Sequence, residues 1–419
     1  MATHSTIAAD SKFSAHQRVT VIFCFFAYVC TYLIRVNVSV ALPLLAEEIN
    51  MPTSTQGILS GSFLWCYALG QLAFGRLGDR LSGKRLMFTG LCGSAVCNLT
   101  FGLLSNHTAL IVTWAINGIF QSMIWSPLVH TLSINFRGKK LVRATAYLPF
   151  AIVIGYMLAW GLSSIYSMYF SWRTIFIVPA VICFIFCGFF LVFFKEIKRT
   201  PEEKEMLKKH AEITDEHPRV MSDRTVVLVI ILSLACAVTH GMIRESINYW
   251  FPTMLSSLKK ISPWVSIGIL LIVPVINFFG TLVSRALIKK TKNNIFRDIL
   301  ILSFAALIFS VIATLTRPFG DVLLIIFTVI LLGTMFGITP LFTSFLPLHF
   351  TKYNIVGTIA GMMDAFIYFG AAASSMLTGS LIEKSGWSAV CIYWTITAAI
   401  SLILVAADCR FKKKTDLKI

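Results

Sequence analysis

Twelve apolar runs, each long enough to cross a lipid bilayer, dominate this sequence of 419 residues. A membrane-spanning helix needs about 20 consecutive apolar residues. Charged residues make up only 13% of the chain, whereas a soluble domain carries about 25%. We therefore predict an all-α membrane protein with 12 transmembrane helices. The predicted spans are 19–42, 55–75, 85–104, 108–130, 144–166, 173–194, 225–251, 262–284, 298–316, 319–345, 355–379 and 387–408.

The basic residues lie mainly on one side of these spans. The formal net charge is +17 at pH 7, and twelve spans place both termini on the same side. The loops on that side carry 29 of the 36 Lys and Arg, the opposite loops carry five, and Arg35 and Arg244 lie inside spans. Because cytoplasmic loops are enriched in Lys and Arg, the N and C termini are predicted to be cytoplasmic. The positive charge therefore indicates orientation in the bilayer, and we expect no nucleic-acid partner.

One long polar segment, 195–224, divides the chain into two halves. We interpret it as a cytoplasmic linker with a short surface helix at 201–211. The predicted organisation is a cytoplasmic N-tail at 1–18, a six-helix bundle at 19–194, the linker at 195–224, a second six-helix bundle at 225–408 and a cytoplasmic C-tail at 409–419.

An internal repeat relates the two halves. Arg35 lies in the second half of the first predicted span and is followed eight residues later by Pro43. Arg244 lies in the second half of the seventh predicted span and is followed eight residues later by Pro252. Parallel repeats with a binding site at their interface are an architecture of secondary transporters. The repeat therefore predicts a transporter with one arginine from each half.

The chain resembles the major facilitator superfamily in the segment 75–85, which reads GRLGDRLSGKR and is similar to the loop between spans two and three of that superfamily. Within the superfamily it is most similar to the organophosphate:phosphate antiporters, the glycerol-3-phosphate and hexose-phosphate transporter type. The similar segments are 32–37, 120–127, 244–252 and 357–361.

The resemblance implies two pseudo-symmetric six-helix bundles in the cytoplasmic membrane that alternate access to a central site. It also implies that Arg35 and Arg244 bind the substrate phosphate. In the loop after span two, it implies that charge contacts hold one conformation. The residues of this conformational latch are Gly75, Asp79, Arg80 and Arg85.

The chain also departs from that family near the first arginine. The family has a lysine after this arginine, where the chain has Val36, and a lysine in span two, where the chain has Gln71. The family's histidine in span five has no counterpart within 149–155. The site is therefore expected to carry less positive charge than that of its relatives.

The chemistry of arginine leads to a similar prediction without the family. A charge at membrane depth costs at least about 2.5–3.5 kcal/mol, so it is usually functional. A guanidinium group presents five donors in a planar fork that matches carboxylate or phosphate. Arg35 and Arg244 together would form an anion site. Alternatively, each arginine pairs within the protein, for example Arg244 with Glu245 or Asp364.

Helical spacing provides candidate neighbours for the two arginines, because residues at i, i+3 and i+4 share a face. Their hydroxyl and amide groups would donate hydrogen bonds to a phosphate, and their rings would line the pocket. The alternative is that the aromatic residues only pack the helices together. The candidate substrate-binding residues are Tyr32, Tyr67, Gln71, Gln121, Trp125, His240, Asn248 and Tyr368, beside Arg35, Arg244 and Asp364.

Asp364 is an acidic residue inside the eleventh span. It would neutralise an arginine in the empty site, couple transport to protons, or meet a cationic group on a zwitterionic substrate. The remaining alternative is a buried acid that only bonds two helices. Glu245 and His240 are the other candidates for charge balance, since histidine changes charge near neutral pH.

Three functions remain open from the sequence. The first is alternating-access transport of a small organic anion, a phosphate ester exchanging for inorganic phosphate at Arg35 and Arg244. The second is proton-coupled import of another organic anion or zwitterion through Asp364. The third is a transporter-like membrane sensor. We expect a monomer with no enzymatic activity and no cofactor. We also expect no metal site, since the ten cysteines include no CxxC pair.

Overall fold

The computed structural model describes residues 13–77, 81–196, 224–258, 261–291, 294–317, 320–353 and 355–412. These residues form helices joined by short connections. The helices are α1 (Ala15–Leu33), α2 (Asn37–Glu48), α3 (Thr53–Leu77), α4 (Gly83–Leu103), α5 (His107–Ser122), α6 (Trp125–Asn135), α7 (Gly138–Thr145), α8 (Leu148–Tyr169), α9 (Thr174–Phe193), α10 (Arg224–Ser257), α11 (Pro263–Lys290), α12 (Ile295–Thr316), α13 (Asp321–Pro340) and α14 (Val356–Lys412).

Among the described residues, eleven helical segments are long and apolar enough to cross a membrane. The predicted all-α membrane architecture is therefore present. The last segment, Val356–Arg410, contains 55 residues, which as continuous helix would measure about 80 Å against a hydrocarbon core of about 30 Å. Within it, Gly386 adopts φ 70° and ψ −173°, a conformation that favours glycine. The chain therefore bends between the predicted spans 355–379 and 387–408.

Several spans predicted as single helices are interrupted. The span predicted at 19–42 consists of α1 and α2, with Ile34, Arg35 and Val36 between them. The span predicted at 108–130 consists of α5 and α6, which are separated at Met123 and Ile124. Beyond α13, the chain continues as a π-helical turn, Leu341–Phe345, and a 3₁₀ segment, Leu346–Tyr353.

Helices packed across the two halves of the sequence enclose the centre of the molecule. Here α3 packs against α14, α8 packs against α11, and α2 packs against α10. The α3–α14 contact is close at one end, where a Cβ at Gly57 would lie 2.7 Å from the carbonyl oxygen of Ser375. At that end the Glu383 carboxylate also accepts a hydrogen bond from the Ser54 N–H at 2.7 Å. Small residues thus permit backbone approach between these two helices.

The opposite end of α14 is more open. A Cβ at Gly357 or Gly361 would meet no atom within 4 Å, and both glycines are exposed. The start of α14 therefore has no close neighbour at these two glycines, in contrast to the close approach of α3 at Ser375.

The predicted latch is described in part. Asp79 and Arg80 lie outside the described residues, and Gly75 lies in α3. The N–H of Arg85 donates to the Ser82 hydroxyl at 3.2 Å, so Ser82 caps α4. The Ser82 hydroxyl donates to Glu196, which follows α9. The sequence analysis did not single out Glu196, which ties the ends of α4 and α9 together. The predicted helix at 201–211 also lies outside the described residues.

Candidate functional site

Arg35 lies in the interruption between α1 and α2, near the middle of the molecule, and is 5% exposed. Its Nε donates to the Gln121 Oε1 at 2.6 Å. Its guanidinium carbon lies 4.3 Å from the ring centroid of Tyr67, 5.3 Å from that of Tyr32 and 5.7 Å from that of Phe63. Such cation–π contacts favour a desolvated guanidinium by about 2 kcal/mol or more. Within the described part of the chain, no carboxylate forms an ion pair with Arg35.

Polar side chains hold the interruption around Arg35. The Ile34 carbonyl accepts hydrogen bonds from the side-chain amides of Asn98 at 3.0 Å, Gln121 at 3.2 Å and Asn117 at 3.5 Å. The Asn37 amide donates to Asn98 at 2.9 Å. Ser94 accepts from Gln121 at 3.0 Å and donates to Asn117. We call Asn37, Ser94, Asn98, Asn117 and Gln121 the polar cluster.

Of the polar cluster, only Gln121 was singled out from the sequence. A signal was present, because Ser94 and Asn98, like Asn117 and Gln121, are polar pairs spaced four residues apart in apolar spans. Such a pair shares one helix face. The spacing does not predict the interruption at Ile34. This interruption leaves a backbone carbonyl that accepts hydrogen bonds from both of these helix faces.

Arg244 lies in the uninterrupted helix α10 and is 6% exposed. Its Nε and one terminal nitrogen both lie 2.7 Å from the Glu245 Oε1. The other terminal nitrogen donates to the Thr339 hydroxyl at 3.1 Å. The internal pairing of Arg244 with Glu245, one of the two sequence alternatives, is thus present. Thr339, at the end of α13, was not predicted from the sequence.

Asp364 lies on α14, near enough to both arginines to interact with them electrostatically. Its Oδ2 accepts a hydrogen bond from the Gln71 amide at 3.3 Å, and that amide also contacts the Tyr67 hydroxyl at 2.7 Å. The ring of Tyr368 lies 4.6 Å from that of Tyr67 and 5.8 Å from the guanidinium carbon of Arg244. These residues connect Arg35 to Arg244 across the interface of α3 and α14.

Three other predicted residues lie near the two arginines and contact neighbouring side chains. Trp125 stacks on Tyr28 with ring centroids 5.0 Å apart. The ring of His240 contacts the Thr339 hydroxyl through Nε2 at 3.1 Å. Asn248 donates to the Tyr156 hydroxyl at 2.6 Å and contacts Glu245 at 3.3 Å, so it connects α10 to α8.

The two arginines therefore lie in different electrostatic surroundings. Arg244 has a carboxylate in direct contact, whereas aromatic rings and an amide surround Arg35. With both acids ionised, Arg35, Arg244, Glu245 and Asp364 sum to no net charge. The positive charge most available to an anion lies at Arg35.

The chain is similar to known membrane transporters. A family model described as Major Facilitator Superfamily matches residues 24–375. A "Probable hexose phosphate transport protein" from Chlamydia muridarum is 24% identical over 90% of this chain and 88% of its own length. The "Glycerol-3-phosphate transporter" of Bacillus subtilis is 22% identical over 99% of this chain and 98% of its own length.

Among solved structures, a bacterial homologue of the human lysosomal transporter Spinster, in an inward-facing and occupied conformation, superposes with a TM-score of 0.74. The superposition covers 96% of this chain and 97% of that chain, at 12% sequence identity. At that identity, the superposition shows a shared fold.

Proposed function

Since the chain belongs to the Major Facilitator Superfamily, and is thus a multi-pass membrane transporter, we propose that it is a secondary active transporter of a small organic anion. The substrate in this proposal is a phosphate ester, exchanged for inorganic phosphate at Arg35 and Arg244. The resemblance to organophosphate transporters that the sequence indicated is confirmed by the names of its relatives. Exchange and the anion site itself are parts of the proposal.

The observation that carries the proposal is that two buried guanidinium groups, from α10 and from the interruption before α2, are linked through the adjacent rings of Tyr67 and Tyr368. A phosphate monoester offers oxygen acceptors, and guanidinium groups bind such oxygens in a bidentate geometry. Arg35 supplies a positive charge that no carboxylate contacts directly among the described residues, and Tyr32 and Tyr67 line its surroundings. A phosphate bound between the two halves would contact both arginines only when the halves close around it.

The packing of the helices supports alternating access. We propose that the chain crosses the cytoplasmic membrane twelve times as two six-helix bundles, with 195–224 as linker and both termini cytoplasmic, and functions as a monomer. In that orientation the tight contact at Gly57, Ser375 and Glu383 closes the outer end, and the space beside Gly357 and Gly361 opens towards the cytoplasm.

The exchange step is tested in liposomes that contain only this protein. Vesicles are loaded with inorganic phosphate, or with sulfate as a control, and uptake of labelled glycerol 3-phosphate and glucose 6-phosphate is measured. We expect uptake that requires internal phosphate, because an unloaded carrier would reorient slowly without an anion at the arginines. Uptake of neither ester, with or without phosphate inside, would refute the proposal.

A second candidate is proton-coupled import of another organic anion or zwitterion. Asp364 supports it, since a partly buried carboxyl group that attracts both arginines can bind and release a proton as substrate arrives. The test is uptake driven by an inward proton gradient in vesicles without internal phosphate. If this second function applies, Asp364→Asn abolishes the effect of the gradient. If phosphate exchange applies, the gradient does not drive net uptake in either protein.

A further inference from the structure

We propose that Asn98, with Ser94, is a positioning residue for Arg35: it fixes the interruption between α1 and α2 so that the guanidinium faces the anion site. The inference rests on the proposed function, because it assumes that Arg35 binds the anion. Neither residue contacts the guanidinium group. Asn98 acts on it through the backbone at Ile34, and Ser94 acts on it through Gln121.

The interruption removes one helix hydrogen bond, the one that the Ile34 carbonyl would accept. In a continuous helix the Val38 N–H would donate to the Ile34 carbonyl, four residues earlier. Here the Val38 N–H donates instead to the Asn37 side-chain oxygen at 3.0 Å. Ile34 is 0% exposed, so its carbonyl has no water to accept from. Within a membrane such a group must be satisfied by the protein.

The polar cluster supplies the replacement donors. A carbonyl oxygen has two lone pairs, and the three side-chain amides lie at graded distances. Asn98 is the nearest at 3.0 Å, followed by Gln121 at 3.2 Å and Asn117 at 3.5 Å. Asn98 and Gln121 therefore supply the main hydrogen bonds to the Ile34 carbonyl oxygen, and Asn117 supplies the weakest one.

Asn98 holds the chain on both sides of Arg35. It donates to the Ile34 carbonyl, which immediately precedes Arg35, and accepts from the Asn37 amide at 2.9 Å, two residues beyond it. Asn37 is anchored in turn on the Ile175 carbonyl at 3.1 Å. The peptide groups that set the direction of the Arg35 side chain are thus fixed by α4 and by the start of α9.

Ser94 fixes the other end of the side chain. Its hydroxyl accepts from the Gln121 amide nitrogen at 3.0 Å, and this leaves the Gln121 oxygen directed at the Arg35 Nε at 2.6 Å. Ser94, Asn98 and Gln121 are all 0% exposed, so solvent does not substitute for them. With its Nε bonded to Gln121, Arg35 holds its guanidinium carbon 5.3 Å from the ring centroid of Tyr32 and 4.3 Å from that of Tyr67.

Arg244 provides the contrast within the same molecule. Its helix α10 runs without interruption from Arg224 to Ser257, and its guanidinium is oriented by the Glu245 carboxylate. The same repeat position is therefore held by an ion pair in one half and by neutral amides in the other. Neutral amides orient Arg35 without cancelling its charge, which is what an anion-binding group needs.

The test is a double-mutant cycle on the full-length protein, with binding of labelled inorganic phosphate as the readout. The four proteins are wild type, Asn98→Ala, Arg35→Lys and the double variant. We expect Asn98→Ala to weaken phosphate binding roughly tenfold, the equivalent of about 1.4 kcal/mol. In the Arg35→Lys background the same change should weaken binding less than about twofold, since residues that act through one another are not additive.

The matched control is Thr314→Val, which removes a hydrogen bond of 2.9 Å between α12 and α14 away from the site; it should leave phosphate binding unchanged. Ser94→Ala is a second variant, used if Asn98→Ala does not fold. It should weaken phosphate binding about threefold. This effect too should require Arg35 and be lost in the Arg35→Lys background. Hydrogen exchange of the segment 34–38 should be faster in Asn98→Ala and unchanged in Thr314→Val.

Two results would overturn the inference. One is that Asn98→Ala costs the same affinity in the Arg35→Lys background as in the wild-type background, which indicates a general structural role. The other is unchanged phosphate binding in both Asn98→Ala and Ser94→Ala while Arg35→Lys weakens it. If Arg35→Lys and Arg35→Ala leave phosphate binding unchanged, the proposed function fails instead, and the two failures are thereby distinguished.

Discussion

The ion pair of Arg244 with Glu245 leads to a prediction about Glu245→Gln. In the wild type, two nitrogens of Arg244 lie 2.7 Å from one carboxylate oxygen, and both residues are 6% exposed. Two unit charges about 4 Å apart attract by about 4 kcal/mol at an effective dielectric constant of 20. Glutamine keeps an oxygen acceptor, and Arg244 keeps Thr339 and the attraction of Asp364. We therefore expect a loss of about 2 kcal/mol in the stability of the empty protein, below the ~3–5 kcal/mol for a fully unpaired buried charge.

The same substitution should strengthen anion binding. Removing one negative charge leaves the site with a net charge of +1, and the phosphate no longer competes with Glu245 for Arg244. Affinity for inorganic phosphate should rise about tenfold, or about 1.4 kcal/mol. Because a ligand stabilises the state that binds it, phosphate should raise the melting temperature of Glu245→Gln more than that of the wild type.

The assay is thermal unfolding in detergent across a phosphate titration, with Glu47→Gln as the control. Glu47 is exposed near the end of α2, so the control makes the same chemical change away from the site and should behave as wild type. The reasoning is refuted if Glu245→Gln is as stable as the wild type without phosphate, or binds phosphate more weakly.

Three further substitutions test the packing and the site. Gly57→Ala places a Cβ 2.7 Å from the Ser375 carbonyl oxygen, so it should separate α3 from α14 and raise the labelling rate of Ser375→Cys by an impermeant maleimide at the outer face. Glu383→Gln removes the charge that accepts from the Ser54 N–H. It should also raise the labelling rate of Ser375→Cys, but by less than Gly57→Ala does, because exposed charge contacts contribute little. Gln121→Leu removes the acceptor for the Arg35 Nε and should raise the KM for the transported ester at least about tenfold, while Thr314→Val should not.

The sequence contained most of the information on the fold and part of that on the site. Run length predicted the helices because bilayer thickness acts on each apolar segment separately. The orientation that charge placement indicates stays a prediction. The two arginines were found because a charge inside an apolar run is conspicuous. Gln121, Tyr67 and Gln71 were found from helical spacing, and the structure places all three beside Arg35 or Asp364.

The rest depends on contacts between helices, which spacing within one helix does not encode. In a continuous first span, helical spacing would place Ser39 on the same face as Arg35. The interruption at Ile34 turns it away, and its hydroxyl accepts from the Trp160 indole at 3.0 Å. No Gly or Pro lies at 34–36, so local propensity does not mark the interruption. Asn98 and Ser94 stabilise it from another helix.

Thr339 and Tyr156 illustrate the same limit. Each is an ordinary residue in its own span. Thr339 contacts Arg244 because α13 packs beside α10, and the Tyr156 hydroxyl of α8 accepts a hydrogen bond from Asn248 of α10. The pairing of Arg244 with Glu245 in preference to Asp364 also depends on side-chain geometry, since the sequence offered both carboxylates.

The central claim is that Arg35 and Arg244 together bind the anion that is exchanged, and phosphate-loaded liposomes test it most directly. The measurement is uptake of labelled glycerol 3-phosphate or glucose 6-phosphate by Arg35→Ala and Arg244→Ala, with Arg18→Ala, an exposed arginine on α1, as the control. We predict that each site variant loses at least about 99% of exchange, the equivalent of about 2.8 kcal/mol, and that Arg18→Ala keeps wild-type exchange. Wild-type exchange by both Arg35→Ala and Arg244→Ala would contradict the account.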